Sequence, residues 1–144
     1  MSWQRSSKGC DEAALDTSAL YAILDDEEEA EALLVALGRY GHLCVSAGTL
    51  AELSIVLLRR RSAESITDLE RLLAALGIEV VAVDHQAVQR IREGFIAFGK
   101  GMGNRAQLNF GDLFAYALCK ERGIPLFFRG DDFAHTDLID ARRA

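Results

Sequence analysis

The chain has one proline and one tryptophan in 144 residues, and its three cysteines stand far apart. With so little proline there is no proline-rich linker, and neither a repeat nor a low-complexity tract divides the chain. Cys10, Cys44 and Cys119 are odd in number and form no C-x-x-C pair. A disulfide framework is therefore not expected, and a cytoplasmic location is. His42, His85 and His135 make no H-x-x-x-H or H-E-x-x-H pattern, and His42-x-Cys44 lacks the P-C-x-x-C half of a zinc deaminase. No apolar run approaches ~20 residues, so no membrane span is expected. The first ten residues lack the apolar stretch of a secretory leader. Basic residues are also few: 16 Lys and Arg against 22 Asp and Glu leave a net charge of −6. That balance argues against a general-purpose nucleic-acid binder, which is normally basic.

Half the residues are apolar and 26% are charged, an ordinary globular balance. One domain is expected at this length, large enough to build a core without metal or disulfide staples. Apolar periodicity, caps and glycine stops predict helices over 18–24, 28–37, 50–61, 68–76, 85–98 and 112–122. The helix over 50–61 is apolar nearly all round and is expected to be buried. Thr67-x-x-Glu70 reads as a capping box opening the fourth helix. Short apolar or β-branched runs at 13–15, 42–46, 78–83 and 125–128 read as strands. Their alternation with helices predicts an α/β fold with a mostly parallel central sheet flanked by helices on both faces. In such sheets ligands bind beyond the carboxyl ends of the strands.

Several carboxylates fall at those places. Asp16 follows the first strand directly, and Asp131 and Asp132 follow the last, where turns and helix caps are the competing roles. Glu52 is the only charge between Ser46 and Leu58, and its i+3 and i+4 neighbours are Ile55 and Val56. A carboxylate on such a face needs a partner arginine or a cation. Asp112 is the only charge between Arg105 and Lys120, in a first helical turn where the dipole also favours an acid. If the four converge, each pair ~4 Å apart repels by about 4 kcal/mol at an effective dielectric near 20. A cation relieves that repulsion, and an all-oxygen donor set selects Mg²⁺ or Mn²⁺.

The segments LDTSAL, AELSIVL and LNFGDLFAYALCKERGIPLFFRGDDFAHTD, in that order, resemble the PIN-domain ribonucleases and among them the VapC toxins of bacterial toxin–antitoxin pairs. The resemblance runs from Leu15 to Asp137. It implies a parallel sheet flanked by helices, a Mg²⁺-dependent RNA endonuclease, a homodimer and a small VapB-like antitoxin that wraps and inhibits it. By position, Asp16, Glu52 and Asp112 match the family's first three acids. The family more often places Thr after the last strand and then D-x-D-F, whereas here Phe128 stands at the Thr position and the motif contracts to G-D-D-F. Gly130 permits a turn that aims Asp131 inward, and Asp132 precedes Phe133-Ala134 as an N-cap would, so Asp131 is taken as the fourth acid with Asp132 as the alternative. The domain is thus expected over 13–144, with 1–12 an N-terminal extension without a family counterpart.

Other features have plainer readings. The loop 99–105 carries Lys100 and Arg105 and lacks the P-loop pattern. It is either a solvated loop or a basic contact to RNA phosphates. Phe110, Phe114 and Tyr116 are expected in the core. Thr17 and Ser18 are expected to bond to the site acids. A phosphoacceptor receiver domain, the rival enzyme-independent reading, would need an acidic pair at the end of its first strand, but Asp25-Asp26 lies a helix later. A second rival, an inactive PIN scaffold that acts only by protein binding, sits poorly with retention of all the acids.

Overall fold

A computed structural model describes residues 11–143. Cys10, the expectation about a leader and residues 1–10 of the expected 1–12 extension lie outside the described residues, while Glu12 already belongs to the first strand of the domain. Four strands, β1 (Glu12–Leu15), β2 (His42–Ser46), β3 (Glu79–Val81) and β4 (Leu126–Phe127), pair in the order β3-β2-β1-β4, every neighbour parallel. The chain builds outward from β1 through β2 to β3, then returns to add β4 on the other side of β1. The carboxyl ends of β1 and β4 therefore flank the topological switch point where α/β sheets open a crevice.

Side-chain alternation along the strands feeds two cores. Ala13, Leu15, Leu43, Val45 and Phe127 pack with α1 (Thr17–Leu24), α2 (Ala30–Leu37), α3 (Ala47–Arg60) and α4 (Glu64–Leu76). Ala14, Cys44 and Leu126 face the other way, against α6 (Phe110–Arg122), with Phe128 and Phe133; α5 (His85–Phe98) packs outside α6. The expected fold class is the observed one, with helices on both faces of a sheet that is parallel throughout. Cys44 and Cys119 are free, buried thiols, as their apolar runs suggest. Burial pushes the Cys44 thiol up to about 12.

Several element ends differ from the sequence expectation, for local reasons. α3 starts at Ala47, not at residue 50, because the Ser46 hydroxyl accepts from Gly48 N–H (3.2 Å) and caps it. α3 is not buried all round, since Ile55 and Leu58 are half exposed. α4 begins at Glu64, so Thr67 lies inside the helix and its predicted capping box caps nothing. The capping box that does form is in α6. Asn109 Oδ1 accepts from Asp112 N–H (3.0 Å), and Asp112 Oδ2 accepts from Asn109 N–H (2.9 Å). α2 starts at Ala30, and Asp84 caps α5 by accepting from Ala87 N–H (2.9 Å). β3 and β4 are shorter than their apolar runs. Pro125 precedes β4, where its missing N–H costs no ladder bond while its carbonyl accepts from Ala14 N–H (3.0 Å).

Candidate active site

Asp16 is the residue on which the site is built. It leaves β1 with its N–H donated to the Phe127 carbonyl (2.9 Å), which ties it to the end of β4. Its Oδ2 accepts from the Ser18 N–H (3.1 Å) and hydroxyl (2.8 Å), so it also caps α1. The two readings of Asp16, cap and site acid, use different oxygens: Oδ1 is buried and has no hydrogen-bond partner. Burial raises this carboxyl from 3.8 to about 6, despite the Ser18 hydrogen bonds that lower it, and the nearby Glu52 charge adds to the rise.

Glu52 arrives from α3. Thr17 donates its hydroxyl to Glu52 Oε1 (2.8 Å), and among the described residues no cation pairs with this carboxylate. Its carboxylate lies against the Cα of Gly111, where a Cβ would overlap it. One turn earlier in α3, Gly48 lies under the Phe114 ring with no room for a side chain. These two glycines allow α3 and α6 to approach closely enough to bring Glu52 beside Asp112.

Asp112 is buried in the first turn of α6. Burial lifts its carboxyl from 3.8 to about 7. The Asn109 N–H opposes the rise, while the charges of Asp16, Asp132 and Glu52 reinforce it. Asp16, Glu52 and Asp132 thus lie near enough to Asp112 for their charges to act on it, with no lysine or arginine paired to Asp16, Glu52 or Asp112 among the described residues.

Of the two adjacent acids after β4, it is Asp132 whose charge acts on Asp112. Gly130 does turn the chain (φ 91°), but Asp131 then lines a separate cavity of about 190 Å³ with Phe128, Phe133, Arg142 and Arg143. No helix follows Asp132; residues 131–137 form turns, so it has no helix to cap. Thr17 and Ser18 hold Glu52 and Asp16 as expected. Lys100 and Arg105 are exposed on the loop between α5 and α6, whose stem is closed by Lys100 N–H to Leu108 O (2.8 Å) and Leu108 N–H to Phe98 O (2.9 Å). Tyr116 is buried as expected, but Phe110 is not core; it is 73% exposed at the start of α6.

A second set of donors went unnoticed in the sequence because its members begin three different strands. Glu12, His42 and Glu79 come together at the amino ends of β1, β2 and β3, opposite the four acids. Arg122 occupies this group, bridging Glu12 (2.6 Å) and Glu79 (3.0 Å), and His42 Nε2 lies 2.8 Å from Glu79. The Arg122 and His42 hydrogen bonds hold Glu79 down at about 2. The group is a satisfied ion-pair cluster joining three strands to the end of α6.

The chain belongs to the PIN-domain family, whose profile matches residues 13–138. Within that class its similarity is to VapC ribonucleases. It is 41% identical over 127 residues to Ribonuclease VapC42 of Mycobacterium tuberculosis, covering 88% of this chain and 97% of that one. It is 36% identical over 124 residues to Ribonuclease VapC30 of the same organism, covering 86% and 94%. The fold matches the crystal structure of Mycobacterium tuberculosis VapC20, a Sarcin-Ricin loop cleaving toxin, with a TM-score of 0.72 at 14% identity over 89% of this chain and 97% of that one. It also matches VapBC2 from Rickettsia felis bound to a promoter DNA fragment, with a TM-score of 0.70 at 18% identity over 89% and 96%.

Proposed function

We propose that this PIN-domain protein is a VapC-type endoribonuclease that hydrolyses RNA phosphodiester bonds at a site made by Asp16, Glu52, Asp112 and Asp132. The observation that carries this reading is the convergence of these acids, with the buried Asp16 Oδ1 left without a partner. An orphaned, buried carboxylate oxygen amid like charges fits a cation ligand. The donors are all oxygen, which fits Mg²⁺, with Mn²⁺ as a substitute. When bound, such an ion supplies Lewis-acid polarisation of a phosphate and a more acidic water.

The chain's own groups prepare that chemistry. Ser18 fixes one Asp16 oxygen, while the other is buried without a hydrogen-bond partner. Thr17 orients Glu52, and the Asn109 N–H orients Asp112 through Oδ2. The rigid hydrogen bonds keep the acids in place, so little reorganisation is needed when an anionic phosphate enters. The Lys100 and Arg105 loop is a candidate contact for flanking phosphates. The VapC name of the relatives and the VapBC2 neighbour support a VapB-like antitoxin as partner; this reading also takes a homodimer as working form and the cytoplasm as location. Among the described residues no helix is long and apolar enough to cross a membrane.

The test is cleavage of a mixed RNA pool by purified protein. Cutting is expected with Mg²⁺, and none with EDTA or with a folded Asp16→Asn variant. Equal cutting by Asp16→Asn, or by the wild type in EDTA, overturns the reading.

A further inference from the structure

Arg129 stands between β4 and the turn that carries Asp132, and both its backbone and its side chain are tied across the site. Its backbone N–H donates to the Ser18 hydroxyl oxygen (2.9 Å), and that hydroxyl donates its own proton to Asp16 Oδ2 (2.8 Å). Its guanidinium reaches the connection between α1 and α2, where Nε donates to Glu29 Oε2 (2.8 Å) and Nη1 pairs with Glu27 (3.3 Å). We propose that Ser18 and Arg129 are positioning residues for the acids: the Ser18 hydroxyl locks the turn that carries Asp132 to Asp16, and the Arg129 guanidinium holds that turn against the start of α2. The inference rests on the metal-site reading above and adds to it what sets the spacing of two of the acids.

Three observations carry it. The first is the direction of the hydrogen bonds. A backbone N–H only donates and a carboxylate only accepts, so a link between them needs a group that does both. Ser18 is that group, and in such a chain each bond polarises the next. The Ser18 N–H also goes to Asp16 Oδ2 (3.1 Å), so the same residue that makes the link leaves Oδ1 without a partner.

The second is the placing of Asp132 between two anchors. Upstream, the Asp16 N–H bond to the Phe127 carbonyl (2.9 Å) fixes the end of β4, and the Arg129–Ser18 bond follows it. Phe128, between them, is buried in the core and offers no polar side-chain atom. Downstream, Phe133 is buried with its ring 5.4 Å from Phe128, and the Thr136 hydroxyl donates to its carbonyl (2.8 Å). Gly130 turns the chain between the anchors (φ 91°). Among the described residues no side-chain hydrogen bond or ion pair holds Asp132 itself, so its place is inherited from those anchors.

Glu29 supplies the third. It stands at the N-cap of α2 yet makes no side-chain cap there. Its carboxylate goes to Arg129 instead, and that hydrogen bond holds it below the ordinary carboxylate range. The pair is half exposed, so it contributes less than the hydroxyl does.

The experiment measures Mn²⁺ affinity of the full chain without RNA, by electron paramagnetic resonance of the free ion. Ser18→Ala is expected to weaken binding about 10- to 100-fold, the usual cost of losing a group that orients a ligand. Ser18→Thr, which keeps the hydroxyl, should stay near wild type. Arg129→Ala should weaken binding about 2- to 5-fold, and its difference from wild type should fade in concentrated salt. In a double-mutant cycle, Ser18→Ala should cost less in Asp132→Asn protein than in wild type, because part of its effect passes through Asp132. Amide hydrogen exchange of the metal-free protein gives a second readout. Amides 129–134 should exchange faster in Ser18→Ala, with those of β2 unchanged. This arm reports on the link even if the wild type binds no ion, so the metal-site reading and the positioning proposal fail separately. The proposal is overturned if Ser18→Ala binds Mn²⁺ as the wild type does, if the Ser18 and Asp132 losses simply add, or if exchange over 129–134 is unchanged. It is equally overturned if Ser18→Thr binds as weakly as Ser18→Ala, which makes the loss one of packing.

Discussion

Asp131 and Asp132 are adjacent, chemically identical and differently placed. Only Asp132 contributes to the charge pressing on Asp112, while Asp131 lines a cavity behind the turn. Asp132→Asn is therefore expected to lower RNA cleavage at limiting Mg²⁺ at least tenfold, with Asp131→Asn close to wild type; cleavage rates against Mg²⁺ concentration check this. The buried acids also make a pH prediction. Asp112 titrates near 7 and Asp16 near 6, both above the 3.8 of an unfolded chain. A raised carboxyl stabilises the fold while protonated, and that contribution is lost as pH rises from about 4 through 7. Without metal, Asp112→Asn should thus gain little over wild type at pH 4.5 and on the order of 5 °C in Tm at pH 8. Added Mg²⁺ should reverse the ordering at pH 8, because the wild type then binds the ion better. Melting curves of both proteins in EDTA and in Mg²⁺ read the sign directly. That Asp16, Glu52 and Asp112 come near one another was legible in the sequence because each stands alone in an apolar or strand-end setting. The choice between Asp131 and Asp132 was not. It depends on where the turn after Gly130 carries two consecutive side chains, and a one-residue contraction of the motif moves both.

At the scale of elements, the site depends on how closely α3 and α6 approach. Gly111 gives way to the Glu52 carboxylate and Gly48 to the Phe114 ring. Gly111→Ala is expected to displace Glu52 and cut activity by at least tenfold, with a smaller loss of stability. Gly48→Ala should separate the two helices and destabilise by about 1–3 kcal/mol, the usual cost of overpacking. Denaturant unfolding alongside cleavage rates separates the two effects. The order and type of every element were legible from apolar periodicity and glycine stops. Helix starts were less so. Thr67-x-x-Glu70 has the pattern of a capping box but lies within α4, since Glu64 and Ser65 already continue the helix. Asn109 and Asp112 form one with Asp where the pattern calls for Glu or Gln, and so the start of α6 and the exposure of Phe110 were both missed.

Over the whole molecule, the parallel sheet separates two places where ligating side chains meet. At the carboxyl ends of β1 and β4, four acids lie near one another with no protein cation paired to Asp16, Glu52 or Asp112 among the described residues. At the amino ends of β1, β2 and β3, Arg122 pairs with both Glu12 and Glu79, and His42 lies against Glu79. Among the described residues the first arrangement has no paired protein cation and the second is occupied by one, which is why function is assigned to the first. Locating Mn²⁺ by its anomalous scattering in crystals of the metal-loaded protein tests this assignment most directly. The ion is predicted among Asp16, Glu52, Asp112 and Asp132, touching Asp16 Oδ1. Its appearance at Glu12, His42 and Glu79 with the four acids empty would contradict the account.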